Sequence, residues 1–356
     1  MLHDHTKCCM FMQMSGSNRI AVGIIGASGY TGVELLRLAA LHPLFDVRLA
    51  TGDSMAGRRA ADLYPSLEVE YPDLVFQEFD PAAVSGLDLV VLGLPHGASM
   101  DLAPTLVGEV GCVVDLSAAF RLKDATAYPE FYGFEHSQPE LLAEAVFGLP
   151  ELHRKDLEGA RLVATPGCHV TAATLALRPL VEAGLVHTHD VAVNTVTGIT
   201  GAGRTPTDTN VFTNIDSNAV AYGLLAHRHT PEMEQEIGAQ LLFSPHLVPM
   251  SRGLLATCTA RAADGCNDAA VDDAMRSFYA DEPFVAVLDT PPATKSVLGS
   301  NAAHVAARFD ERTGTVISMC AIDNLTKGAS GGAVQAANVA LGLDETAGLP
   351  TIGLAP

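Results

Sequence analysis

Cys168 stands in the stretch VATPGCHVTAATLAL, residues 163–177. β-formers run to Thr165, a Pro-Gly turn follows, and the alanine- and leucine-rich run after it predicts a helix with the thiol in its first turn. A thiol ionises near ~8.5, and a helix N-terminus or a nearby imidazolium lowers that value by one to several units. AHRHTPEMEQEIG supplies two imidazoles, His227 and His229. In an extended stretch residues two apart face opposite ways, so one can meet Cys168 while the other orients substrate or packs. Thr230 is the expected N-cap of the helix that follows, with Pro231 at its first position. A Cys–His pair is an activated nucleophile. The alternative is a cysteine packed as a small apolar residue beside a capped helix start carrying surface histidines. His169 is expected to point away along its helix.

Anion binding needs cations. Arg121 follows a strand end in LSAAFRLKD, Arg204 sits in the glycine-rich TGITGAGRTP, and Arg252 precedes an apolar run in VPMSRGLLA. Guanidinium binds carboxylate or phosphate in a planar, bidentate way. Each arginine also reads as a surface ion pair.

A second kind of chemistry is written in RIAVGIIGASGYTGVELLRLAALHP. An apolar strand over 20–25 runs into Gly26, Gly29 and Gly32, and an amphipathic helix then stops before Pro43. Backbone N–H groups at such a helix start cradle a phosphate. The usual dinucleotide fingerprint is GxGxxG, and Ser28 takes its second glycine position. After the next strand, DVRLAT, the chain offers Asp53, Arg58 and Arg59. An acid there favours NAD and an arginine NADP, so the residues alone leave that choice open.

These groups need two scaffolds. A chain of 356 residues forms about two domains on a soft prior of ~150 residues each. Strand–loop–helix order recurs through DLVVLGLP (88–95) and GCVVDLS (111–117), which predicts a doubly wound parallel sheet. After Cys168 the pattern changes. DVAVNTVTG, HLVPMSRGLLATCTARA, FVAVLD and the hairpin AAHVAARFDERTGTVISMCAID predict a second α+β domain with an antiparallel sheet. KGASGGAVQAANVALGL predicts a glycine turn and a final helix returning to the first domain. The expected division is a leader over 1–18, a nucleotide-binding domain over 19–165 plus 329–356, and a catalytic and oligomerisation domain over 166–328.

Composition narrows the partners. With 48% apolar and 17% charged residues the chain reads as a globular enzyme, and a net charge of −20 disfavours nucleic acid and anionic membrane. No apolar run approaches the ~20 residues of a membrane span. Seven cysteines (8, 9, 112, 168, 258, 266 and 320) form no CxxC, so neither a disulfide framework nor a structural metal is expected, and a reducing, cytoplasmic setting fits. The opening MLHDHTKCCMFMQMSGSN reads as a leader or as a start upstream of Met14. Its His3, His5, Cys8 and Cys9 are the one metal-binding alternative.

GASGYTGVELLRL, LPHG, VVDLSAAFRLKD, FGLPELHR, TPGC, TGAGR, HRHTPE, LVPMSRG and AIDNLTKGASGGAVQ occur in order between about residues 20 and 343. Together they resemble the N-acetyl-γ-glutamyl-phosphate reductases of arginine biosynthesis. The resemblance implies a two-domain fold shared with aspartate-semialdehyde dehydrogenases and an acyl-phosphate substrate. It implies NADP(H) as cofactor, Cys168 as nucleophile, His227 as its base, and His229, Arg121, Arg204 and Arg252 on substrate. Cofactor contacts would come from Gly26, Ser28, Gly29, Tyr30, Thr31, Gly32, Arg58, Pro95 and Asn324. A homodimer or homotetramer is implied as well. The chain departs from the family pattern at His169-Val170, usually Tyr-Pro, and at Ala119, usually an acid. It also departs at Thr197, often serine, and at Asp53, more often basic or neutral. The competing readings are a reductase of aspartyl or aminoadipyl phosphate, a cysteine hydrolase or acyltransferase, and a non-catalytic NADP-binding regulator.

Overall fold

The computed structural model describes residues 19–354, so the leader with its His3, His5, Cys8 and Cys9 tract lies outside the described residues. The first sheet contains β1 (Ile20–Ile25), β2 (Phe45–Ala50), β3 (Leu89–Leu92), β4 (Cys112–Asp115), β5 (Val146–Phe147) and β6 (Leu162–Ala164). All its pairings are parallel and the order is β2-β1-β3-β4-β6-β5. The short apolar runs LVVL and CVVD are buried throughout, as strands covered on both faces require. From β1 the chain passes to β2 on one side and then to β3 on the other. That reversal opens a crevice beyond the carboxyl ends of β1 and β3, where doubly wound sheets bind ligands.

The glycines of the first loop serve that crevice. Gly26 has φ +90°, and a Cβ there would collide with the carbonyl of Gly93 at the end of β3. A Cβ on Gly32 would collide with the backbone of Ala27. The helix Tyr30–Leu41 can therefore start directly over the strand ends only with glycine at both places.

The second sheet contains β7 (Val191–Gly198), β8 (Val220–Ala221), β9 (Leu241–Val248), β10 (Leu254–Arg261), β11 (Val285–Val287), β12 (Ala303–Asp310) and β13 (Thr315–Ile322). Its order is β11-β12-β13-β10-β7-β9-β8. The predicted antiparallel sheet is in fact mixed: β7 runs parallel to β9, and β11 to β12. The physical reason is the long excursion between β7 and β9, which holds β8 and the helix Thr230–Ile237 and is long enough for a parallel return. The helix Cys168–Glu182 crosses one face of this sheet, against β10, β12 and β13. Among the described residues no helix is long and apolar enough to cross a membrane.

The final helix, Gly331–Ala340, is buried along its whole length and packs in the core of the first domain. It is pinned by a buried cation. Lys327 Nζ lies 2.5 Å from Glu151 Oε1 and 2.6 Å from Gln335 Oε1, and Gln335 Nε2 donates back to Glu151. Burial pushes the Glu151 carboxyl up, and the Lys327 ammonium outweighs it and holds the group below its ordinary value.

A second ionic cluster, centred on Arg252, joins the domains. Its guanidinium donates to Glu34 on the first-domain helix (2.8 and 3.1 Å), to Asp323 just after β13 (2.9 Å) and to Thr326 Oγ1 (2.9 Å). With its donors engaged by two carboxylates and a hydroxyl, Arg252 clamps the two domains together. Burial pushes Glu34 up, and Arg37 and Arg252 overcome that and hold it at about 2, against an ordinary 4.5.

Two stability predictions follow from these buried charges. Lys327→Met leaves the Glu151 carboxylate buried without its partner and should cost about 3–5 kcal/mol in urea unfolding, while adding Glu151→Leu should recover most of the loss. A loss under 1 kcal/mol for the single variant would count against the pin. Glu34 is depressed in the folded chain, so its contribution is complete above pH 4.5 and drains away as pH falls from 4.5 toward 2. Glu34→Gln should therefore destabilise the protein at pH 7 by up to roughly 3 kcal/mol and flatten the acid limb of the stability–pH curve. Parallel wild-type and variant curves over that window would contradict the clamp.

Candidate active site

β6 ends at Ala164 and the chain turns through Thr165-Pro166-Gly167 into the helix at Cys168. The turn is tied down at both ends. Thr165 donates its N–H and its hydroxyl to the Asp115 carbonyl at the end of β4, each at 2.9 Å. Gly167 N–H donates to Glu232 Oε2 at 3.3 Å. Cys168 is then the first residue of a 15-residue helix, where free backbone N–H groups and the helix dipole favour an anion. A Cβ on Gly167 would strike the ring of His229, and one on Gly328 would sit 2.7 Å from the Cys168 Cβ. The wide turn at Thr326–Ser330, where Gly328 N–H bonds Asp323 O and Ser330 N–H bonds Leu325 O, brings Gly328 to that position.

Cys168 borders a cavity of about 550 Å³ lined also by His169, Tyr222, His227, Arg228 and His229. The expected N-cap at Thr230 is displaced: the helix begins at Thr230 itself and His229 takes the cap position with no side-chain cap. The tightened turn, with Thr230 N–H on His227 O, draws His229 in over Gly167. His227 Nδ1 accepts the His229 N–H at 3.1 Å, which places the proton of a neutral His227 on Nε2. His229 Nδ1 is buried and has no partner among the described residues. His169, expected to point away along its helix, does not. The structure turns it in, 2.9 Å from both Tyr222 Oη and Thr195 Oγ1, because those two hydroxyls satisfy both ring nitrogens.

The three imidazoles offer ring nitrogens within 4.8 Å of one another. Both nitrogens of His169 and Nδ1 of His227 already have protein partners, so these three nitrogens are engaged in hydrogen bonds and not free as an open ligand set. Burial holds His227 at about 4 and His169 at about 3, and drives His229 well below its ordinary value. All three are therefore neutral near pH 7. Burial also pushes the Cys168 thiol to about 11, against the opposing pull of the His169 N–H and of Arg121. The resting pair is a thiol and neutral imidazoles.

The arginines sort differently from expectation. Arg121 is buried, with Nη1 3.0 Å from Glu232 Oε1 and Nη2 2.7 Å from the Leu116 carbonyl, and it does not line the cavity. Its ion pair with Glu232 supports the Gly167 turn. Arg204 lies exposed on a smaller cleft with Gly29, Tyr30, Thr31, Cys168 and Asn324. Asn324 is held there by Gly253 N–H and Thr200 Oγ1. The cation on the main cavity is Arg228, which sequence reasoning passed over; its signal was its place between the two histidines of HRHTPE. It is exposed and donates to His96 Nε2 at 2.8 Å, bridging to the LPHG segment of the first domain.

The crevice at the β1/β3 switch measures about 660 Å³ and is lined by Gly26, Ser28, Gly29, Asp53, Gly93 and Pro95 among others. Ser28 Oγ donates to the Gly52 carbonyl, so the serine in the second glycine position closes on the next strand's loop and leaves the crevice open. Glycines that only fit without a Cβ, a helix start and a crevice at the switch point together suit a dinucleotide. Arg59 is spent on Glu68, Asp62 and the Pro72 carbonyl. Arg58 is exposed with only a long contact to Met55 Sδ among the described residues, and it does not line the crevice.

Comparison with known proteins agrees with this division of labour. Residues 21–160 match the semialdehyde dehydrogenase NAD binding domain, and residues 168–324 match the semialdehyde dehydrogenase dimerisation domain. The chain is 45% identical over 343 residues to an N-acetyl-gamma-glutamyl-phosphate reductase of Symbiobacterium thermophilum, covering 94% of this chain and 98% of that one. It is 45% identical over 345 residues to the reductase of Alkalilimnicola ehrlichii, covering 95% and 100%. Among solved structures, aspartate semialdehyde dehydrogenase II of Vibrio cholerae superposes with a TM-score of 0.68 at 17% identity, over 91% of this chain and 99% of that one. That likeness concerns the fold. By sequence, fold and the two matched domains, the chain belongs to the N-acetyl-gamma-glutamyl-phosphate reductase family.

Proposed function

We propose that the chain reduces N-acetyl-L-glutamyl 5-phosphate to N-acetyl-L-glutamate 5-semialdehyde with NADPH, through a thioester on Cys168. The observation that carries this reading is the makeup of the Cys168 cavity: a nucleophile, neutral imidazoles and the Arg228 cation, with no carboxylate in the described lining. A free α-ammonium, as on aspartyl or aminoadipyl phosphate, finds no anionic partner there. An N-acylated amino group needs none, and Arg228 suits the phosphate or carboxylate of the substrate.

His229 accepts the Cys168 proton, because its Nε2 edge lies over Gly167, the residue next to the thiol. His227, the base expected from sequence, instead holds the His229 backbone through Nδ1. The sulfur attacks the acyl carbon and phosphate leaves, forming the thioester. N–H groups of the first helical turn face the carbonyl oxygen as charge develops on it. A reduced nicotinamide held at the glycine loop would supply the hydride, which a thioester accepts far more readily than a carboxylate. Collapse of the thiohemiacetal releases the aldehyde, and His229 returns its proton to Cys168. Gly26, Ser28, Gly29, Gly32 and Pro95 would hold the cofactor's phosphates. Tyr30, Thr31 and Asn324 line the path to Cys168, and Arg58, exposed in the loop that brings Asp53 to the crevice, would be the cation for a 2′-phosphate. The second domain would pair copies of the chain in a homodimer or homotetramer.

The reverse reaction tests the chemistry. With N-acetylglutamate semialdehyde and phosphate, the enzyme should reduce NADP+ faster than NAD+, and Cys168→Ala should abolish the signal. Aspartate semialdehyde should be at least ~100-fold poorer in kcat/KM. Equal turnover of the two aldehydes would sink the substrate assignment. His229→Gln should lower kcat by at least ~100-fold and His227→Gln by clearly less. The opposite ranking would return the role of base to His227.

A further inference from the structure

We infer that His169 is a positioning residue that fixes Tyr222 as a substrate-contacting wall of the Cys168 cavity, through the chain Thr195 Oγ1–His169–Tyr222 Oη. This rests on the function proposed above and assigns two residues that neither the relatives' names nor the expected catalytic set includes.

The segment from Tyr222 to His229 carries much of the cavity: Tyr222, Gly223, Ala226, His227, Arg228 and His229 all line it. Its far end is tied to the first domain, with Arg228 on His96 and the Arg228 carbonyl accepting from Tyr132 Oη, yet its middle is loosely held. Leu224 and Leu225 are 54% and 83% exposed, and Leu225 adopts φ +62°, a conformation unfavourable for a leucine. Its backbone ties at the near end are Tyr222 N–H to the Pro245 carbonyl and a local bond from Ala226 to Gly223. The side-chain tie across the cavity to the Cys168 helix is Tyr222 Oη on His169 Nε2, at 2.9 Å.

His169 is built to hold that bond. It is the second residue of the helix, next to Cys168, and only 2% exposed. Its ring is wedged among Phe243, His227 and His229, with centroids 5.3, 5.6 and 5.5 Å away. Thr195 on β7 engages Nδ1 at 2.9 Å, which fixes the ring's orientation. One helical residue thus sets the distance between the nucleophile and the opposite wall. Because the wall contacts bound substrate and not the breaking bond, its loss should weaken binding more than it slows chemistry.

Steady-state kinetics on the full chain tests this. Tyr222→Phe, which removes one hydroxyl and preserves the ring, should raise KM for the acyl substrate about tenfold while kcat changes less than about threefold. His169→Leu should do the same, and His169→Gln, whose amide can still reach Tyr222, should restore KM toward wild type. The double variant His169→Leu/Tyr222→Phe should be no worse than either single one, since both break one interaction. An unchanged KM in Tyr222→Phe, fully additive losses, or a fall confined to kcat would each overturn the inference. Alkylation of Cys168 by iodoacetamide, read in parallel, requires no assumption about substrate. Both single variants should speed it alike. Unaltered alkylation in both would overturn the inference even if the reductase assay itself failed for want of the right substrate.

Discussion

The Cys168 turn hangs on one buried carboxylate. Glu232 is fully buried and accepts from Arg121 (3.0 Å), from Tyr132 Oη (2.6 Å) and from the Gly167 N–H. Arg121 and Tyr132 come from the first domain, Glu232 from the helix after the histidines, and Gly167 from the turn that presents the nucleophile. Such a group must be paired, because an uncompensated buried charge costs about 3–5 kcal/mol. The requirement draws the histidine segment, the first-domain loop and the cysteine turn to one point. Arg252 on the buried Glu34 and Asp323 repeats the device at the domain junction, and Arg228 adds a hydrogen bond to His96 at the cavity lip.

What the sequence made legible follows from locality. The βαβ opening, the glycine loop, the Pro-Gly turn before Cys168 and the β12–β13 hairpin are each specified by neighbours a few residues apart, where propensity and turn chemistry act. What stayed illegible lies where partners are distant. Arg121 meets Glu232 across 111 positions and Arg252 meets Glu34 across 218, so no local pattern announced these ion pairs. The expectation that His169 points away along its helix fails because its orientation depends on Tyr222, 53 positions on. The parallel pairing of β7 with β9 was hidden by a crossover whose strand β8 has only two residues.

The glycine loop makes the same point on the cofactor side. Its irregular fingerprint, with serine at the second position, keeps the two glycines that geometry demands. Gly26 is forced by the Gly93 carbonyl and Gly32 by the Ala27 backbone, whereas Gly29 has open space around its would-be Cβ beyond the Gly26 carbonyl at 3.7 Å. Ser28 occupies the tolerant position and its hydroxyl bonds the Gly52 carbonyl. Close approach of backbones, and not the motif as a string, is what the loop preserves.

The electrostatics of the site imply that the resting enzyme is inert and that its substrate completes it. Burial raises the thiol to about 11 and keeps all three imidazoles neutral, while Arg228 and the buried Arg121 set positive charge nearby. Moving the proton from Cys168 to a histidine would create an imidazolium beside these cations, in a site that solvates it poorly. A substrate bearing a phosphate brings the missing negative charge. It shifts that balance toward the thiolate–imidazolium pair only when an acyl carbon is already in place to be attacked. The same burial that depresses the base therefore guards the nucleophile between turnovers, since thiols oxidise and alkylate as thiolates. On this reasoning the absence of carboxylates from the described cavity lining has a second consequence. An acid there would stabilise the imidazolium without substrate and remove the dependence of activation on phosphate.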